Sequence, residues 1–407
     1  MKSPEAFLEE NGWTLAANID RSKLIAMFAA DMKAGLEGRP SSLAMLKAYI
    51  APTRANLSGK KAVVLDAGGT NLRGAVVSVP LKIEERENRP MPGTAQEVGE
   101  EEFYRTFADE IKRLKPHANV EKVGWCFSYP AKTTPELDAQ LIMWTKNIKA
   151  PAIVGQYVGT ELKKRAGIKE VAVINDTVAT LLAAKATEGE KTYSSYIGFI
   201  LGTGTNTAYV DGKLEMIINA ESGAFDKVPQ SAFDKAVDQK SNNPGKQWLE
   251  KMIAGAYLGA IGYEILKAAA KAGYFTAKGA GTILGMGGLS TKDLSDFCAG
   301  EKDFNLSAVD AKLARRFALP VFERAATLAA VELAAFVIQS GEGIDETEPV
   351  AICIDGSTYY KTQAIDFPKA VKRELDDMLT RRRNVHYEIV PKVEDAPMIG
   401  AAIAAMI

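Results

Sequence analysis

Residues 65–74 read LDAGGTNLRG, and residues 201–210 read LGTGTNTAYV. Each is an apolar run that ends in a glycine-rich turn, followed by Thr-Asn and a second run. The plain reading of either is a tight strand–turn–strand hairpin, because glycine supplies the positive φ such a turn needs. Two turns with the same Thr-Asn ending, too far apart for a local repeat, predict two related half-molecules. Backbone N–H groups of such turns approach an anion with no Cβ in the way, and two lobes can clamp one polyphosphate. Neither turn is a P-loop, since neither carries G-x-x-x-x-G-K-[ST].

Strands and helices alternate around both turns. Residues 1–58 read as helical, in SKLIAMFAADMKAGL and again in SSLAMLKAYI up to Ala-Pro. EEFYRTFADEIKRL is an amphipathic helix, LKIEERENRP a charged strand or loop, and VEKVGWCFSYPAK a short buried strand running into a turn. EVAVIND is a buried strand that ends on Asn175-Asp176, with a helix directly after it. After the second turn come a long helical stretch, the buried strand VAICIDGS, the strand VHYEIV and the closing helix APMIGAAIAAMI. Mixed sheets alternating with helices, twice over, predict an α/β protein of two similar lobes with its site between them. The expected division is 59–180 plus 393–407 for a small domain and 1–58 plus 181–392 for a large one, with 396–407 crossing back to the first lobe.

Composition removes several function classes. The chain has 407 residues, 47% hydrophobic and 25% charged, with a net charge of −1. That is an ordinary globular balance with no basic surface for nucleic acid; Arg381-Arg382-Arg383 reads as a solvated helix end or loop. The 3 cysteines, Cys126, Cys298 and Cys353, are scattered, which argues against a disulfide framework or zinc cluster and fits a reducing cytosol. No apolar run reaches membrane-span length and MKSPEAFLEENGW does not read as a signal peptide, so a cytoplasmic location is expected. Of the 2 histidines, neither adjoins a nucleophile, so a general base at neutral pH should be a carboxylate.

Asp66 precedes the first turn, where a carboxylate beside a phosphate site points to a metal ion and its water shell. Arg73, two residues past Asn71, could reach a phosphate oxygen. Asp176 stands at the carboxyl end of a buried strand, where open α/β sheets bind ligands, although Asn-Asp-Thr could equally be a helix N-cap. Asp-Gly-Ser at 355–357 reads on its own as a strand-ending turn.

Taken together these segments resemble the hexokinases, of the actin-like, sugar-kinase superfamily, over nearly the whole chain. LDAGGTNLRG resembles the family's first phosphate motif, with Ala67 where Leu is usual. FSYP (127–130) and WTKN (144–147) resemble its sugar-binding segment, with Asn147 in place of Gly. INDT (174–177) matches the catalytic-base segment and LGTGTNTAY the second phosphate motif. INAESGAFD (218–226) and NPGKQWLEKM (243–252) resemble the stretches that supply sugar-binding glutamates, and IDGSTYYK (354–361) the adenosine motif.

The resemblance implies a two-lobed actin-like ATPase (ribonuclease H-like) fold: duplicated mixed sheets flanked by helices, with an interdomain cleft. It implies that Ser128, Thr145, Lys146, Asn175, Asp176, Asn206, Glu221 and Glu250 bind a hexose. Asp176 would be the general base, and Lys146 would also face the transferring phosphoryl group. Gly68, Gly69, Thr70, Asn71, Arg73, Gly202, Thr203 and Gly204 would hold the ATP phosphates, with Asp66 beside them, and Gly356 and Ser357 the adenosine. Mg²⁺ would come with ATP, held through water near Asp66 and Asp176 rather than by a direct protein ligand. The expected activity is transfer of the γ-phosphoryl group of ATP to the 6-hydroxyl of a hexose, by a monomer or homodimer with no nucleic-acid or membrane partner. The rivals are a glucose-specific glucokinase, a sugar sensor without turnover and a nucleotide-driven scaffold. A scaffold has no use for FSYP, WTKN or the two glutamates, and a sensor would have lost Asp176.

Overall fold

The computed structural model describes residues 2–51, 57, 59–78, 82–118, 122–144, 148–186 and 191–407. Its strands, in chain order, begin with β1 (Leu46–Lys47), β2 (Lys61–Ala67), β3 (Asn71–Ser78), β4 (Lys82–Pro90), β5 (Lys122–Phe127), β6 (Ala131–Thr133), β7 (Ala139–Leu141) and β8 (Glu170–Ile174). The second half adds β9 (Ser195–Leu201), β10 (Thr205–Asp211), β11 (Met216–Asn219), β12 (Val350–Asp355) and β13 (Tyr387–Ile389).

One large sheet runs in the order β4-β3-β2-β5-β8 and a second in the order β1-β11-β10-β9-β12-β13, while β6 and β7 form a small two-stranded sheet. With the two-residue edge strand β1 set aside, the two orders are the same. In each lobe three strands form an antiparallel meander, and two more join the first of them in parallel. This is the duplication foreshadowed by the paired turns. The central strands β2, β5, β9 and β12 are buried along nearly their whole length, as strands covered on both faces must be.

Two helices fill the space between the sheets. The Asp176–Ala186 helix packs on β9 and β12, and the Ala396–Met406 helix packs on β2 and β5; the two helices also pack on each other. Glycine permits this tight stacking. A Cβ on Gly124 of β5 would lie 2.0 Å from the Ala401 carbonyl oxygen, one on Gly400 would lie 1.9 Å from that of Ala179, and one on Gly198 of β9 would lie 2.4 Å from that of Thr177. On the far side of the second sheet, the Arg21–Leu36, Leu258–Lys271 and Ala308–Ser340 helices build the large apolar core.

One expectation fails here. SSLAMLKAYI is not helical: its Leu46–Lys47 segment pairs with β11 as an edge strand. Met45 (φ 47°) and Tyr49 (φ 54°) are left-handed, so the three- and four-residue apolar spacing in this stretch is not carried by a helix. Its apolar residues are divided instead: Leu43 and Met45 enter one core, Ala48 and Ile50 another. The charged LKIEERENRP segment contains the exposed strand β4, with an irregularity opposite Val76/Val77. Among the described residues no helix is long and apolar enough to cross a membrane.

Candidate active site

Both glycine turns occupy the same place in their lobes. The first follows the register pair Ala67↔Leu72 and the second the pair Leu201↔Thr205, so each sits where the first two strands of a sheet reverse.

The second turn is built into a larger cradle. Gly202 donates its N–H to the Gly204 carbonyl at 2.9 Å, while the Gly202 carbonyl accepts from the Gly255 N–H at 2.8 Å and from Thr358 Oγ1 at 2.7 Å. The Thr203 carbonyl accepts the Ala256 N–H at 3.0 Å. Gly356 has φ 123°, and a Cβ there would stand 2.3 Å from the Leu201 carbonyl, so only glycine fits. Ser357 opens the short Ser357–Lys361 helix and is exposed. The expected phosphate and adenosine segments are thus one cluster. Gly255, which helps tie it together, carries no motif of its own in the sequence, and Thr358 lies within the quoted IDGSTYYK stretch.

In the first turn, the Gly68 N–H donates to the Asn71 carbonyl at 3.0 Å and Asn71 Nδ2 to Thr70 Oγ1 at 3.2 Å, with Gly69 between. The Tyr129 hydroxyl closes onto the Gly68 carbonyl. Arg73 donates through Nε to Asp66 at 2.8 Å and through Nη1 to Asp395 at 3.1 Å, and Arg86 binds Asp395 from the other side. A phosphate would therefore have to compete with two carboxylates for Arg73.

The polar groups expected to meet a sugar converge between the lobes. Asn206 Nδ2 donates to Asn219 Oδ1 at 2.7 Å and to Asn175 Oδ1 at 3.4 Å, and Asn219 Nδ2 donates to Glu221 Oε1 at 2.9 Å. Asn219 lies within the INAESGAFD stretch, and its one signal in the sequence is its place two residues before Glu221. Glu250 Oε2 accepts the Thr205 N–H at 3.0 Å and reaches the second turn because Gly204 is bare: a Cβ there would be 2.5 Å from that oxygen. Glu221 (φ 54°) and Gln247 (φ 53°), which caps the Trp248–Ile253 helix carrying Glu250, are both left-handed. Such backbone costs on the order of 1 kcal/mol or more and clusters at ligand sites. Ser128 follows β5, its N–H 3.4 Å from the Ala67 carbonyl beside the first turn. Thr145, Lys146 and Asn147 lie outside the described residues.

The N-cap question at INDT is settled by geometry. Asn175 Oδ1 accepts the Thr177 N–H at 2.9 Å, so Asn175 caps the Asp176–Ala186 helix. The Asp176 carboxylate accepts the Thr177 hydroxyl at 3.3 Å.

The electrostatics bind these groups into one site. Burial pushes the Glu221 carboxyl up to about 7; the Asn219 hydrogen bond opposes this, and Asp176 and Glu250 add to it. Asp66 and Asp355 are also raised, first by burial, with Asp176 pushing both upward and Arg73 pulling both down. Three aspartates from two lobes thus feel one another across the gap. Among the described residues no three His, Cys, Asp or Glu side chains converge to hold a metal ion directly. The donor set fits a cation that arrives with phosphate oxygens and water.

In three dimensions the chain matches a solved hexokinase from Schistosoma mansoni, complexed with glucose, with a TM-score of 0.79 over 99% of this chain and 98% of that one at 24% identity. The fold is therefore the two-lobed actin-like one. A hexokinase family model matches residues 196–407, and a second matches residues 17–186. The chain is 30% identical to Hexokinase-2 of Oryza sativa subsp. japonica over 98% of its own length and 91% of that protein, and 32% identical to Hexokinase-5 of the same plant over 92% and 84%. It belongs to the hexokinase family and is an ATP-dependent hexose kinase.

Proposed function

We propose that this chain phosphorylates the 6-hydroxyl of glucose, or of a closely related hexose, with Asp176 as general base. The observation that carries the assignment is the division of labour at the end of β8: Asn175 caps the helix, so the Asp176 carboxylate is not spent on the cap. The Schistosoma relative of the same fold holds glucose, which supports glucose as the first substrate to try.

Asn175, Asn206, Glu221 and Glu250, with Ser128, Thr145 and Lys146, bind the sugar hydroxyls. A wrong epimer leaves at least one of these polar groups unpaired, at about 1–3 kcal/mol each. Asp176 accepts the 6-hydroxyl proton as that oxygen bonds to the γ-phosphorus and the bond from phosphorus to the ADP oxygen breaks. Backbone N–H groups of the two glycine turns hold the phosphates, and the 255–256 and 356–358 segments hold the nucleoside. Asp66 and Asp176 would order the water shell of a Mg²⁺ ion that comes with ATP, and that ion would supply charge neutralisation at the phosphates. Closing the lobes on the sugar excludes water as a competing acceptor. The division into 59–180 plus 393–407 and 1–58 plus 181–392 gives the two moving bodies.

ADP release with Mg-ATP and a panel of hexoses, run on the wild type and Asp176→Asn, tests this reading. We expect hexose-dependent turnover that falls about 10²–10⁴-fold or more in the variant while hexose still binds. Turnover that survives the substitution within tenfold removes Asp176 as base; no stimulation by any hexose removes the kinase reading.

A further inference from the structure

Glu332 lies in the Ala308–Ser340 helix, is 0% exposed, and has the buried Val331 and Leu333 on either side. An apolar residue would pack there without the penalty of burying a carboxyl. Its Oε1 accepts the Thr207 hydroxyl at 2.6 Å, and Ser222 Oγ lies 3.2 Å from Thr207 Oγ1, placed to donate to it. Its Oε2 is buried with no partner of hydrogen-bonding geometry among the described residues.

Both hydroxyls stand directly behind the sugar site. The backbone N–H groups of Thr207 and Ser222 are the two donors that hold Asn206 Oδ1, at 2.7 and 3.2 Å. Asn206 then orders Asn219, and Asn219 orders Glu221. Thr207 and Ser222 therefore join the core of the second lobe to the side chains assigned to the hexose: their hydroxyls reach Glu332, and their backbone N–H groups hold Asn206. A hydroxyl can donate in several directions, so such a pair needs a fixed acceptor at its end. The groups acting on the Glu332 carboxyl are those two hydroxyls on β10 and the 222 turn, and no charged side chain among the described residues contributes.

We propose that Glu332 is a positioning residue for the hexose: as terminal acceptor it anchors the Ser222–Thr207 hydroxyl pair, and with those two residues the backbone N–H groups that place the Asn206 amide. The proposal rests on the hexose-kinase reading of the site. It deepens that reading by adding a residue that touches neither sugar nor nucleotide.

The test compares Glu332→Leu, Glu332→Gln and Thr207→Val with the wild type for glucose KM, ATP KM, kcat and equilibrium binding of labelled glucose. Glu332→Leu should raise the glucose KM and Kd about tenfold, the loss of roughly one net hydrogen bond, with the ATP KM within about twofold. Glu332→Gln keeps an acceptor oxygen and should stay within about threefold of wild type. Thr207→Val cuts the same link without touching the helix, and should reproduce the glucose effect even if the leucine variant fails to fold. The double variant should be no worse than the worse single one. Glucose constants unchanged in both Thr207→Val and Glu332→Leu overturn the proposal alone, as does a parallel rise in the ATP KM. A wild-type chain that neither binds nor phosphorylates any hexose overturns the kinase reading with it.

Discussion

At the scale of single residues, the site is decided by which polar groups are already committed and which are not. Glu221 is the instructive case. Its carboxyl, pushed up to about 7 by burial and held by Asn219, is protonated below neutrality and ionised above. A carboxylate accepting sugar hydroxyls makes charge-assisted bonds, so the glucose KM should fall as pH rises through about 7. Glu221→Gln should flatten that profile and leave glucose about tenfold or more weaker at pH 8; KM measured from pH 6 to 8 in both proteins decides it, and a profile shared by the two refutes the role. Gly204 gives a second residue-scale prediction. Gly204→Ala would put a Cβ 2.5 Å from Glu250 Oε2 and drive that carboxylate off the Thr205 N–H. A glucose KM raised about fivefold or more is expected, against a melting temperature lowered by the equivalent of only about 1–2 kcal/mol.

Among the elements, the Asp176–Ala186 and Ala396–Met406 helices do most to hold the lobes in register, because each is packed on a different sheet and on the other. Their closeness depends on Gly400. Gly400→Ala would place a Cβ 1.9 Å from the Ala179 carbonyl, where only backbone movement relieves the clash. Urea unfolding should show a loss of about 1–3 kcal/mol or more. Gly281→Ala, inside the Ala277–Gly285 helix with nothing within 4 Å of the new methyl, is the matched control. It should be neutral or stabilising by up to about 1 kcal/mol, because alanine is the better helix former. Equal losses for the two would remove close packing as the explanation.

The whole molecule carries a pH signature set by its buried carboxyls. Glu332 is raised by burial from 4.5 to about 7, against the pull of the Ser222 and Thr207 hydroxyls. Its protonated form is favoured in the folded state, so this contribution to stability is complete below the unfolded value. It is lost as pH rises from about 4.5 through about 7, by on the order of 3 kcal/mol for a shift of this size. Glu221 acts in the same direction and window. Asp234 has the opposite sign: burial opposes ionisation, but the paired Arg324 holds its carboxyl below the usual range, and that stability is lost only in stronger acid. Between pH 5 and 8 the raised carboxyls therefore dominate, and the chain should unfold at lower urea at pH 8 than at pH 5.5. Glu332→Gln should recover a large part of that difference, and an unchanged pH slope in the variant would contradict it.

The sequence by itself determined the local chemistry. Glycine turns, buried apolar strands and strand-end carboxylates are properties of neighbouring residues, so the duplicated α/β plan and the candidates Asp66, Arg73 and Asp176 could be read from them, whereas the sugar-binding candidates came only from the family resemblance. It erred at SSLAMLKAYI, where helical spacing was overruled by two left-handed residues and by pairing with β11. Only the tertiary structure decided what depends on groups distant in the chain. It assigned the cap to Asn175 rather than Asp176, set Arg73 between Asp66 and Asp395, joined Gly255 and Thr358 to the second turn, and placed Glu332 behind Asn206. Hydrogen bonding and desolvation act over a few ångströms in space, whatever the separation along the chain, and one-dimensional spacing carries no record of that distance.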